Sequence, residues 1–322
     1  MSSEKVVIVS NINHHYKQYQ LFGKIFERLK KLTTSKAESV QSLHNVSFEV
    51  PAGTCCGLLG ANGAGKTTVI KLLSGLIQQS SGDISVLGFL PKKRNPQMLK
   101  NIGVLFGNRG QLIWDLSPVD TWELVGASYG LSAKQVKANF LPLAERLGVM
   151  HKITSPVRKL SLGERMKCEL ICAMIHKPKL LILDEPTIGL DAKSQEEIRR
   201  ILIEEKANGT SIILTSHYMK DIEDVSDSIV FLRNGQVLYT GNIAHLIETY
   251  KPGFIFESGT QFSISEVGDA RQVGGRWMLE MPRDSHHILN SLDFSLFGDD
   301  FSFRSHTLEE ALLGLQEDKE QG

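Results

Sequence analysis

The chain has 322 residues, of which 41% are hydrophobic and 22% charged, and its 36 basic and 36 acidic side chains cancel. That length holds one large domain and a small one, and a zero net charge excludes broad electrostatic binding to nucleic acid, which needs a basic surface. No apolar run approaches the ~20 residues of a membrane helix, and the N-terminus lacks a signal-peptide pattern. A cytosolic chain that reaches a membrane only through a partner is therefore expected.

In chain order, residues 6–9 read as a strand. Residues 19–36 read as a basic amphipathic helix. Leu21, Phe22, Ile25, Phe26, Leu29 and Leu32 recur at helical spacing, with Lys24, Arg28, Lys30 and Lys31 between them. Such a helix suits a membrane surface, a membrane partner or its own domain. Residues 48–50 and 55–59 read as strands around the turn Pro51-Ala52-Gly53. Then comes Gly60-Ala61-Asn62-Gly63-Ala64-Gly65-Lys66-Thr67, which fits G-x-x-x-x-G-K-[ST], with a helical run from Thr68. A strand, this loop and a helix in that order form a phosphate-binding loop. Glycines let backbone N–H groups approach an anion, and the helix presents its positive end. In this motif Lys66 reaches the β- and γ-phosphates and Thr67 ligates Mg²⁺.

Strands follow at 82–87 and 102–106. Residues 115–156 are mainly helical, as in 132–147, and 162–175 is a helix. Residues 180–183 form a buried strand ending in Asp184-Glu185. A carboxylate at a strand end downstream of a phosphate loop supports Mg²⁺, and a neighbouring one is placed to polarise water. Helices at 192–207 and 219–225 alternate with a strand at 211–215, and Asn234-Gly235 closes a hairpin of 229–233 with 236–240. This pattern predicts an α/β fold with a mainly parallel, doubly wound sheet, an antiparallel β subdomain and a helical insert at about 109–176. A boundary is expected near Lys251-Pro252-Gly253. It separates a nucleotide-binding domain (1–250) from a small α+β domain (251–322) with strands at 262–264 and 277–280, a helix at 308–315 and a frayed end. Cys168 and Cys172, at i, i+4, are the one candidate metal pair. With no second pair, all four cysteines read better as small buried hydrophobes.

Leu160-Ser161-Leu162-Gly163-Glu164-Arg165 alone is only a capped helix start. In order with the phosphate loop, Asp184-Glu185, Gly189-Leu190-Asp191 and His217, it makes residues 5–245 resemble the ATP-binding cassette (ABC) ATPases. The resemblance implies ATP and Mg²⁺ as cofactors. It implies that residues 60–68, Thr68 included, hold the phosphates and that Thr67 and Asp184 support Mg²⁺. Glu185 would be the general base, with His217 at the γ-phosphate. Tyr16 would stack on adenine, with Tyr19 as the weaker candidate. Ser161 and Gly163, with Asp191 nearby, would act on ATP held by a second ATPase subunit, so two chains are needed. Asn108 stands where the family has Gln. It keeps the amide but is one methylene shorter, so it reaches Mg²⁺ or the attacking water only after a loop shift. Leu162 and Glu164 replace the commoner Gly and Gln.

Residues 111–116, 156–158 and 184–191, with the ending from Thr307 to Leu312, are similar to exporter ATPases of the daunorubicin-resistance type. The long segment between Tyr16 and Phe48 also resembles polysaccharide exporters, which leaves the substrate open. The implied function is the ATP-hydrolysing subunit of a transporter, working with integral-membrane permease subunits on the cytoplasmic face of the membrane. The competing reading is a soluble cassette protein such as a ribosome-associated translation factor. Those resemble two fused cassettes, whereas this chain has one phosphate loop. A chromosome-structuring ATPase needs a long coiled coil that the insert lacks.

Overall fold

The computed structural model describes residues 4–18, 38–107, 110–251, 253–264, 267–281 and 301–321. The helix expected over 19–36, Tyr19 and Asn108 lie outside the described residues. No helix among the described residues is long and apolar enough to cross a membrane.

Two strands of fourteen residues, β1 (Lys5–Gln18) and β2 (Glu38–Pro51), pair antiparallel. Both run well beyond the short strands expected from the sequence. The cause is a set of register shifts, with Asn11 and Asn45 at positive φ, which break the alternation that marks a strand. β3 (Cys55–Leu59) is wholly buried and leads through the phosphate loop into α1 (Lys66–Leu73). β4 (Ser81–Val86) returns to pair with β1, which completes a three-stranded antiparallel sheet in the order β2-β1-β4. Short α2 (Pro96–Leu99) precedes β5 (Ile102–Leu105).

The insert holds α3 (Pro118–Ser128), α4 (Ala133–Arg146) and α5 (Leu162–Met174). Each starts with a serine N-cap in a reciprocal capping box: Ser117 with Asp120, Ser132 with Gln135, and Ser161 with Glu164. Each cap contributes about 1 kcal/mol. Trp122 centres the insert. It is fully buried, donates through Nε1 to Cys168 O at 3.1 Å and meets Phe140 at a ring distance of 4.9 Å.

The main sheet continues with β6 (Leu180–Asp184), α6 (Ala192–Ala207), β7 (Ser211–Thr215), α7 (Met219–Val225) and the hairpin β8 (Ser228–Arg233) and β9 (Gln236–Gly241). Its order is β5-β6-β7-β3-β8-β9, with β5, β6, β7, β3 and β8 parallel. Parallel strands covered on both faces read as apolar runs, and β3, β6 and β7 are buried along their whole length with polar residues only at the ends of β6 and β7. The carboxyl ends of β3, β6 and β7 therefore lie side by side, where ligands bind in such sheets.

The chain divides into two compact units, Met1–Thr240 and Gly241–Gly322. α8 (Ile243–Tyr250) falls in the second, whereas the sequence placed it in the first domain. It packs on α9 (Leu308–Gln321), where a side chain on Gly314 would press within 3.0 Å of Tyr250 O. The second unit also holds β10 (Phe254–Ser258), the small ladder of β11 (Ser263–Ile264) with β12 (Gly268–Asp269), β13 (Arg271–Val273), β14 (Arg276–Met281) and β15 (Phe301–Ser305). β13-β14-β10-β15 form an antiparallel sheet over Phe256, which is fully buried. The end expected to fray is helical to Gln321, and its residues Glu317, Lys319, Glu320 and Gln321 are all good helix formers.

Candidate functional site

Gly60 (φ +146°) and Gly65 (φ +111°) give the phosphate loop its path. A Cβ on Gly60 would lie 2.3 Å from the backbone oxygen of Leu232, which leaves no room for one; on Gly65 it would displace Leu43 Cδ2, 2.6 Å away, in a backbone conformation that side chains disfavour. α1 begins directly after Gly65, with no side-chain cap and no acidic residue in its first turn. Its first N–H groups are thus left for an anion. Lys66 Nζ donates to Gly60 O at 2.6 Å and Ala61 O at 3.3 Å. Burial holds the Lys66 ammonium below its ordinary value, although Glu185 and Asp184 pull the other way.

Asp184 ends β6 and is buried. Its Oδ1 accepts a 2.7 Å hydrogen bond from Thr215 Oγ1 on β7, its register partner. Thr215 Oγ1 in turn accepts from Glu185 N at 3.0 Å. Glu185 sits at φ +57°, a region a non-glycine residue visits rarely and one found at functional sites. Its Oε2 accepts from His217 N at 2.9 Å, and its Oε1 lies 3.4 Å from His217 Nε2 without a hydrogen bond to satisfy it. Burial pushes the Glu185 carboxyl up, opposed by His217, which makes it a stronger base than a surface carboxylate.

These groups line one cleft of about 360 Å³. Of the residues predicted from sequence, Ala61, Asn62, Gly63, Gly65, Lys66, Thr67, Thr68, Asp184, Glu185 and His217 meet there. Gly60 and Ala64, also predicted from sequence, are not among the lining residues, and Ala64 is buried. Tyr16 stands beside the cleft: its hydroxyl is 3.4 Å from Thr68 Oγ1, and its ring packs edge-on against buried His14 at 4.7 Å. Ser161, Gly163 and Asp191 are not among the lining residues. The Ser161 hydroxyl caps α5, and Gly163 packs against Leu190. Asp191 caps α6, accepting from Ser194 N at 2.9 Å and Ser194 Oγ at 2.8 Å.

Ser42, Gly107 and Ile188 also line the cleft and were not foreseen. Ser42 arrives on β2, from the other sheet, and carried no sequence signal. Thr215 had one: it is a polar residue closing an apolar strand. No cluster of three His, Cys, Asp or Glu side chains among the described residues could hold a metal. Cys55, Cys56, Cys168 and Cys172 are all buried, with thiols pushed up to about 12 by burial, as for small apolar side chains in a core.

A parallel α/β sheet with a phosphate loop at the end of β3 and two carboxylates at the end of β6, with β7 between them, defines a P-loop nucleoside triphosphatase. Residues 43–188 match the ABC transporter family model. The ABC transporter ATP-binding protein NatA of Bacillus subtilis is 33% identical over 214 residues, which cover 66% of this chain and 87% of that protein. The lantibiotic transport ATP-binding protein SrtF of Streptococcus pyogenes is 34% identical, covering 67% and 92%. A solved ATP-binding subunit of an ABC transporter superposes with a TM-score of 0.65 at 26% identity, over 77% of this chain and 94% of that one. An ATP-binding cassette solved as a post-hydrolysis dimer with ADP and Pi shares the fold, with a TM-score of 0.61 at 19% identity over 73% and 98%. The chain belongs to the ABC transporter ATP-binding proteins. It is an ABC-type ATPase.

Proposed function

We propose that this chain is the ATP-hydrolysing subunit of an exporter, seated on the cytoplasmic face of the membrane beneath separate permease subunits. The observation that carries the reading is the shared cleft of Lys66, Thr67, Asp184, Glu185 and His217. In it, Lys66 and the loop N–H groups bind the phosphates, Tyr16 stacks on the base, and Glu185 takes a proton from water held by His217. Thr67 and Asp184 supply a hydroxyl and a carboxylate, the hard oxygen donors that suit Mg²⁺ held jointly with phosphates rather than in an all-protein cage. When bound, Mg²⁺ neutralises charge on the phosphate oxygens.

Ser161 and Gly163 lie outside the cleft, so a second copy or a homologue supplies its own signature to ATP held by this chain. ATP thereby acts as the ligand that stabilises a closed dimer, and hydrolysis reopens it. Export is favoured by the relatives: SrtF is named for lantibiotic transport and LnrL of B. subtilis, 32% identical over 231 residues, for linearmycin resistance. The first compact unit is the nucleotide-binding domain, with the insert facing the permease, and the second is accessory.

The test is Glu185→Gln. It keeps the shape and the acceptor for His217 N but cannot take a proton. Turnover should fall by about 10²–10⁴, the usual contribution of a general base, while ATP binding persists and an ATP-bound dimer accumulates on gel filtration. Near-normal turnover would remove Glu185 from the reaction. Recovery of the tagged chain on ribosomes, with no membrane protein beside it in detergent, would remove the transport reading.

A further inference from the structure

Asp221 lies in the first turn of α7, outside the cleft, and only 1% of it is exposed. A buried carboxylate is costly unless its oxygens are satisfied. Both are. Oδ2 accepts from Thr187 Oγ1 at 2.6 Å and from Ser216 Oγ at 2.7 Å. Oδ1 accepts from Arg199 Nη1 at 2.8 Å, and Arg199 also pairs with Asp224 at 3.1 Å. Thr187 and Ser216 are themselves buried, with 1% and 4% exposure.

The sequence positions of those two hydroxyls carry the argument. Thr187 is two residues after Glu185, in the loop that leaves β6. Ser216 is one residue before His217, in the loop that leaves β7. A single oxygen therefore holds both loops. Ser216 Oγ also accepts from Tyr218 N at 3.0 Å, which fixes the turn that carries His217. On the strand side the same loops are tied through Thr215. Glu185 and His217 thus sit between two clamps. Their 2.9 Å contact, made in a backbone conformation that Glu185 does not favour, depends on both.

We propose that Asp221 is a positioning residue for hydrolysis: through Thr187 and Ser216 it holds the Glu185 and His217 loops in the register that the water-activating pair requires. The inference rests on the role given to Glu185 above. Asp221 is buried outside the cleft, and its oxygens are taken by Thr187, Ser216 and Arg199. It acts only through the two loops, so it governs turnover and leaves the phosphate grip of Lys66 alone.

The test uses the full chain and its basal ATPase. Thr187→Val and Ser216→Ala each delete one hydroxyl with little change of volume, and Asp221→Asn removes the charge. Each should lower kcat about tenfold or more, since small misplacements of reacting groups are costly, while KM for ATP stays within about twofold. The Thr187→Val/Ser216→Ala double variant should fall no further than Asp221→Ala, because both remove the two hydroxyl contacts of the same oxygen. Thr187→Ser, which keeps the hydroxyl, should recover most of the turnover. Thermal melts identify any variant that fails to fold. Folded Thr187→Val and Ser216→Ala proteins with unchanged kcat would overturn the proposal, as would a rise in KM matching the loss of kcat. Glu185→Gln is run alongside. If it is inactive while the two hydroxyl variants keep full kcat, only the clamp fails. If it turns over normally, the base assignment fails and the clamp with it.

Discussion

Replacing Thr215 by Val removes one hydroxyl from the centre of the site and almost nothing else. Thr215 is fully buried, so no water takes the place of the lost group. Its hydroxyl donates to Asp184 Oδ1 at 2.7 Å and accepts from Glu185 N at 3.0 Å. The first bond ends on a buried carboxylate and is the larger loss, about 1.5–3 kcal/mol. The second costs less, because Glu185 N also donates to Thr215 O at 3.2 Å. Together they predict a destabilisation of roughly 2–3 kcal/mol. In a unit of this size that lowers the melting midpoint by roughly 5–10 °C. Asp184 also loses the contact that aims its carboxylate, so kcat should fall about tenfold or more. Urea titration followed by the fluorescence of buried Trp122 reads the stability, and phosphate release reads the turnover. A midpoint and a kcat both indistinguishable from wild type would show that the hydroxyl neither stabilises the strand ends nor orients Asp184.

Gly60→Ala forces a Cβ to within 2.3 Å of Leu232 O, at a φ of +146°; it should abolish binding of a fluorescent ATP analogue, and retained binding would show that the loop yields. Ser161→Ala removes the cap of α5 and should cost about 1 kcal/mol in a thermal melt. If Ser161 also serves the second subunit's ATP, the ATPase loss in that variant will far exceed what this small destabilisation explains. Burial pushes the Glu310 carboxyl up, but hydrogen bonds from Arg304 and Thr307 outweigh it and hold the value at about 2, against an ordinary 4.5. The stability this gives the second unit is complete above pH 4.5 and is lost as pH falls towards 2. Glu310→Gln should therefore destabilise at pH 7 and be silent near pH 2, as read by calorimetry. The four thiols, pushed up to about 12, should resist iodoacetamide at pH 8 in the native chain and react only after denaturation.

Much of the fold was legible where the signal was local. α6, β7 and α7 fall where the pattern placed them, because an apolar run or a helical stripe is complete within its own segment. Strands β1 and β2 were under-read because their register shifts at Asn11 and Asn45 hide the alternation. β10 was missed although Phe254, Ile255 and Phe256 form a short apolar run. Its partners are β14 and β15, more than fifteen residues away, and no local rule names them.

The phosphate loop, the carboxylate pair and the capped signature helix were determined by sequence alone. Each is a short-range device: glycines at positive φ, a polar pair ending an apolar strand, a serine three residues before a glutamate. What the sequence could not contain is which of these ends meet. Parallel pairing of β3, β6 and β7 brings Lys66, Asp184, Glu185 and His217 to one cleft and leaves Ser161, Gly163 and Asp191 out of it. Buried Thr215 and Asp221 gain their places largely through contacts with residues distant in sequence: Thr215 with Asp184, and Asp221 with Thr187 and Arg199. A hydroxyl or carboxylate in such a place is fixed by the desolvation cost of leaving it unpaired, and that cost exists only once the tertiary structure has excluded water.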